Sequence, residues 1–116
     1  MDAVVRQRVL RLVGLGVRSR NAVVGVERVR EAVKKGKVQL AIVAVDASQN
    51  SLDKVVPLLE ARRVRIVHAP SASELGRAVG RDQTTAVGIV DRELARGIRD
   101  AMDSLAPPQA AGRKEG

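Results

Sequence analysis

The chain has 116 residues, room for one compact domain with a single core. It contains no cysteine and no Phe, Tyr or Trp, which excludes disulfides, thiol catalysis, Cys-based zinc sites and base stacking on aromatic rings. The net charge of +8 is uneven: residues 1–37 hold ten Lys/Arg against three acids, while residues 38–105 hold nine of each sign, the footprint of a polyanion partner.

In chain order, Val5, Val9, Leu12 and Val13 repeat at helical spacing and predict a helix over about residues 2–13. Gly14 and Gly16 are expected to end it, leaving Val17–Asn21 as a basic loop. Ala22-Val23-Val24 reads as a short strand that stops at Gly25. Val26, Val29 and Val33 mark the inner face of a second helix, closed by Gly36. Val38–Val45 is nearly unbroken in apolar character and reads as a central strand covered on both faces. After the polar loop 46–51, Asn50 and Asp53 are candidate caps for a third helix with Leu52, Val55, Val56 and Leu59 inward. Val64–Ala69 is a further strand, ended by Pro70. Ser71 or Ser73 caps a short helix carrying Leu75, Ala78 and Val79, and Ser71 with Glu74 has capping-box spacing. Residues 81–85 form a polar loop, Ala86–Val90 a last strand, and Arg92–Leu105 a last helix with Leu94, Ile98, Met102 and Leu105 inward. Residues 106–116 are expected to be a polar, disordered tail.

Strands alternating with helices predict the α/β class, a three-layer α/β/α sandwich with a small four-stranded sheet, mixed or largely parallel. No second domain is visible, so residues 1–105 read as one unit. The first twenty residues carry arginines and no continuous apolar stretch, and no run approaches the ~20 residues of a membrane span. A cytoplasmic protein without membrane contact is the expectation.

The runs Gly14-Leu15, Gly25-Val26-Glu27-Arg28-Val29, Ala32-Val33-Lys34-Lys35-Gly36-Lys37 and Ala44-Val45-Asp46-Ala47-Ser48, followed by Asn50, have a familiar order. So does Glu74-Leu75-Gly76-Arg77-Ala78-Val79-Gly80-Arg81. Together they resemble the L-seven-Ae / L-thirty-e / S-twelve-e ribosomal-protein superfamily, most closely its bacterial YlxQ-type branch. The resemblance covers about residues 10–103. It implies an α/β/α fold, monomeric behaviour, ribosomal or ribosome-associated partners, and binding to kink-turn RNA, a sharply bent helix with tandem sheared G·A pairs. Family members touch RNA through the start of the second helix, patterned Gly-x-Asn-Glu-x-x-Lys, and through the loop before the last strand. The first pattern falls on Gly25, Glu27, Arg28 and Glu31. Only the glycine is retained, and Glu27 in place of asparagine is similar to the bacterial branch. The loop falls on Arg81, Asp82, Gln83, Thr84, Thr85 and Ala86.

The residues themselves point the same way. Gly25 allows close backbone approach where a strand turns into a helix, and the freed amides of Val26, Glu27 and Arg28 make a phosphate site. Glu27 can accept from a guanine's N1 and N2 edge, and Arg28 can donate to guanine O6 and N7 or to phosphate. Arg28, Glu31 and Lys35 share the helix face opposite the valines. Arg18, Arg20, Lys35 and Lys37 are the candidates for phosphate affinity. The bland alternative is a solvated helix face with Arg28 paired to Glu31.

Enzymatic readings fare poorly. His68 has no metal-sharing partner in the sequence, and Asp46 reads as a loop-capping aspartate. Ser48 and Ser51 have no partnering histidine or nucleophile elbow, and Gly14-Leu15-Gly16 follows a helix and not a strand, so no dinucleotide fingerprint is present. No cofactor is expected. The rival of a different class is a protein-interaction module on the same fold with only non-specific RNA affinity.

Overall fold

The computed structural model describes residues 2–69 and 71–103. Five helices and four strands alternate: α1 (Ala3–Arg18), β1 (Ala22–Val24), α2 (Val26–Lys34), β2 (Leu40–Ala44), α3 (Gln49–Ala61), β3 (Arg65–Ala69), α4 (Ala72–Ala78), β4 (Ala86–Ile89) and α5 (Arg92–Asp103). Asp2 starts α1, its carboxylate accepting from the Val5 amide at 3.0 Å, and Ser71 starts α4 by accepting from the Glu74 amide. Asp91 does the same for α5 through the Leu94 amide at 2.8 Å. Ser48, and not Asn50 or Asp53, caps α3, its hydroxyl accepting from the Ser51 amide.

Helix α1 runs past the predicted stop. Gly14 and Gly16 are both buried inside it, because their missing side chains let other elements come close. A Cβ on Gly14 would lie 2.5 Å from the Ala78 carbonyl oxygen, and one on Gly16 would lie 2.3 Å from Leu94 Cδ2. These contacts dock α4 and α5 on α1 and offset the poor helix propensity of glycine, ~1 kcal/mol per residue. Val17 and Arg18 are therefore helical, and the basic loop shrinks to Ser19–Asn21.

The sheet order is β1-β4-β2-β3. Strand β4 runs antiparallel to both β1 and β2, while β2 and β3 are parallel. The sheet is thus mixed and not largely parallel, and the reason lies in α4. That helix has seven residues, about 10 Å of rise, and the chain then retraces it: the Arg81 amide donates to the Gly76 carbonyl at 2.8 Å and the Thr84 amide to Ala72 at 3.0 Å. Strand β4 consequently enters from the end where β2 and β3 finish, and must run against them.

All five residues of β2 are buried, as its unbroken apolar run predicts. One core cluster lies under α1, α4 and α5 and includes Val9, Val13, Ile42, Leu75 and Ile98. The other lies under α2 and α3 and includes Val29, Val33, Val43 and Leu59. Helix α5 points Ala95, Ile98 and Ala101 inward, with Leu94 and Met102 only flanking the cluster. The expectations for Pro70, Leu105 and the tail fall outside the described residues.

Candidate nucleic-acid interface

Gly25 stands between β1 and α2 with φ +102° and ψ 152°, backbone open to glycine and costly for other residues. No side chain caps α2. The first intrahelical bond is donated by Val29 to the Gly25 carbonyl at 3.0 Å, so the amides of Val26, Glu27 and Arg28 point out of the helix start without intrahelical acceptors. The Gly25 amide itself donates to the Ala86 carbonyl at 2.9 Å. That bond fastens the helix start to the end of the 81–86 loop, two segments sixty residues apart in sequence and both singled out by it.

The loop is held from three sides. Besides the bonds to Gly76 and Ala72, the Thr85 carbonyl accepts from the Ala44 amide at 2.8 Å. Arg81, Asp82 and Gln83 are exposed and Thr85 is half-buried. Thr84 is 9% exposed and Ala86 is fully buried. The side chains of these last two lie inside the protein, so they shape the loop and offer a partner only backbone atoms.

On α2 the exposed face carries Glu27, Arg28, Glu31 and Lys35. Arg28 does not pair with Glu31. Instead Lys35 Nζ approaches Glu31 Oε2 at 3.9 Å, and Arg30 Nε approaches Glu27 Oε1 at 3.9 Å while its guanidinium donates to the Lys54 carbonyl. Exposed pairs of this length contribute little, roughly 0–1 kcal/mol. Among the described residues Arg28 has no side-chain hydrogen bond or ion pair, and its guanidinium is free for a ligand. Arg30, which sequence reasoning omits, makes only this loose contact with Glu27; its i, i+3 spacing was the available signal.

The four expected phosphate-binding cations do not form one patch with Gly25. Lys35 and Lys37 sit past the far end of α2, and the shallow groove they line runs back along the helix to Arg28, with Val23 and Val90 beside it. Arg20, at φ +65°, lies in the turn before β1, at the end of the sheet opposite Gly25. Arg18 belongs to the other layer, where with Arg11 it faces Arg77 on α4. Charge clustering along the sequence could not separate the two layers.

The model of the ribosomal protein L7Ae/L30e/S12e/Gadd45 family matches residues 7–104. A protein of Bacillus subtilis strain 168 named RNA-binding protein YlxQ is 27% identical over 92 residues, covering 79% of this chain and 92% of that protein. A protein of the same name from Enterococcus faecium is 26% identical over 98 residues, covering 84% and 94%. Among solved structures, a Bacillus halodurans protein of unknown function superposes with a TM-score of 0.75 at 28% identity, covering 83% of this chain and 97% of its own. The Giardia lamblia 15.5kD RNA binding protein shares the fold with a TM-score of 0.73 at 23% identity, covering 90% and 89%.

Proposed function

The chain belongs to the ribosomal protein L7Ae/L30e/S12e/Gadd45 family, and on that premise we propose that it is an RNA-binding protein and not an enzyme. Its ligand on this reading is bent, structured RNA of the kink-turn kind, held at the Gly25 helix start and the 81–86 loop. A cytoplasmic monomer reaching ribosomal or ribosome-associated RNA is the setting this implies. The RNA-binding names of its bacterial relatives support the class of partner.

The observation that carries the reading is the Gly25–Ala86 hydrogen bond. It brings the three free amides of the helix start beside the 81–86 loop, which carries the exposed Arg81 and Gln83, while the unpaired Arg28 side chain lies on the adjoining exposed face of α2. A phosphate at the helix start would receive the amides and the positive end of the helix dipole. Glu27, 80% exposed at its side chain, is free to exchange its loose contact with Arg30 for a guanine edge. Arg28 can then donate bidentately to a neighbouring guanine or phosphate.

The test is a titration of a kink-turn RNA beside a straight duplex of equal length, at several salt concentrations. Preference for the bent RNA that persists at higher salt is the expected result. Arg28→Ala should weaken that binding by on the order of 1–3 kcal/mol. Equal binding of both RNAs, falling steeply with salt, would instead reduce the helix start to a sequence-blind basic surface and leave a protein partner as the better reading.

A further inference from the structure

We propose that the groove between α1 and α4 is a second phosphate-binding surface, which takes the backbone of a double-helical arm of RNA beyond the part held at Gly25. It goes beyond the helix-start site and rests on the proposed function only in taking RNA as the partner.

The groove encloses about 340 Å³ and is walled by Gln7, Arg11 and Arg18 on one side and by Glu74 and Arg77 on the other. At 100° per residue, positions 7, 11 and 18 fall within about 40° of one another on the helix, and Arg11 and Arg18 stand about 10 Å apart along its axis. They form a row and not a point cluster. The floor is built packing: Gly14 lies so close to the Ala78 carbonyl that a Cβ would reach it at 2.5 Å.

The charges in this groove are not spent internally. Arg11, Arg18 and Arg77 are exposed, and among the described residues they have no side-chain hydrogen bond or ion pair. The one acid in the groove, Glu74, is occupied. Its carboxylate lies 3.5 Å from Arg6 Nε and accepts from the Ser71 hydroxyl at 3.4 Å. Three free guanidiniums therefore face one carboxylate that already has Arg6 as a partner. Guanidiniums match phosphate oxygens bidentately, and without aromatic rings the surface has no platform for splayed bases. A row of cations in an open groove fits the regular charges of a duplex backbone.

The groove lies on the layer opposite α2, so it is a separate surface. It is also continuous with the proposed site, since α4 passes through Gly80 into Arg81 at the head of the 81–86 loop, and the Arg81 amide is bonded back to Gly76. One RNA can meet both surfaces by following this edge.

The experiment measures salt-dependent binding of a kink-turn RNA with long arms, the same RNA with arms trimmed to the bend, and a straight duplex. The proteins are wild type, Arg11→Gln/Arg18→Gln/Arg77→Gln, the matching triple lysine variant, and Arg65→Gln/Arg92→Gln/Arg96→Gln as a charge-matched control. Loss of the groove arginines should lower the slope of log K against log salt by about three on long-arm RNA. Affinity should fall at least roughly tenfold at low salt, with little change on trimmed RNA. The lysine triple should keep most of the slope, which separates charge from folding, and far-UV circular dichroism checks each fold. A groove variant that behaves like the control overturns the proposal, even if wild type still prefers the bent RNA. A wild type without that preference, whose groove variant still loses slope, sinks the kink-turn reading and keeps this one. No RNA binding by wild type overturns both.

Discussion

Gly25 combines two requirements that no residue with a side chain meets together. Its φ of +102° turns the chain from β1 into α2 while its amide reaches Ala86. No atom beyond the glycine and its two chain neighbours lies within 4 Å of where a Cβ would stand, so the cost of substitution is backbone strain and not collision. Gly25→Ala should therefore lower stability by about 1–3 kcal/mol, read by urea unfolding. Because relief of the strain rotates the free amides, RNA affinity should fall as well. A stable variant with unchanged affinity would remove Gly25 from the interface. This residue was legible in the sequence because a glycine between a valine strand and a valine-striped helix has few other uses. The freedom of Arg28 was not, since an i, i+3 glutamate offers a pairing that only the placement of Lys35 and Arg30 decides. Nor was the burial of Ala86, which depends on which face of β4 its first residue occupies.

At the scale of elements, α4 and its return segment position the 81–86 loop, the second half of the proposed interface. A Cβ on Gly76 would lie 2.4 Å from Gln83 Cα and 2.6 Å from Gln83 N. Both are backbone atoms, so the 82–83 segment would have to move. Overpacking costs typically about 1–3 kcal/mol, and the gain in helix propensity returns up to ~1 kcal/mol. Gly76→Ala is thus expected to be mildly destabilising in thermal melts yet clearly weaker on kink-turn RNA, with straight-duplex binding unchanged. Equal losses on both RNAs would mean that the loop does not read the bend. The existence and order of the nine described elements followed from apolar periodicity, unbroken apolar runs and cap or glycine signals, all of them local properties. Strand direction is not local. It was decided by the brevity of α4, by the bonds that fold the chain back along it, and by Asp46, whose carboxylate accepts from the Ala72 amide at 2.7 Å and pins that helix to the end of β2. The misplaced end of α1 has the same origin. A glycine reads as a stop unless the neighbour it admits is known, and Ala78 and Leu94 are more than sixty residues away.

At the scale of the molecule, the sheet separates two helical layers that each carry cations outward and an aliphatic cluster inward. The helix-start site belongs to the α2 layer and the arginine groove to the α1–α4 layer. If the layers are energetically independent, each proposed RNA surface can be altered without disturbing the other. Val13 and Val33 test this, because both are fully buried and they lie in different clusters, with the sheet between them. Truncation of either to alanine should cost about 1.5–3 kcal/mol. The two residues lie in different clusters with the sheet between them, so the double variant should lose the sum of the two to within ~0.5 kcal/mol. That sum, about 3–6 kcal/mol, is a large share of the ~5–15 kcal/mol of an ordinary domain, so the urea midpoint of the double variant should fall well below that of either single variant. The chain has no aromatic residue, and far-UV circular dichroism must follow the transition in place of fluorescence. A coupling above 1 kcal/mol would show that β2, buried on both faces, transmits strain from one layer to the other. Binding at the Gly25 end would then be felt in the arginine groove, and the two surfaces would have to be treated as one linked site.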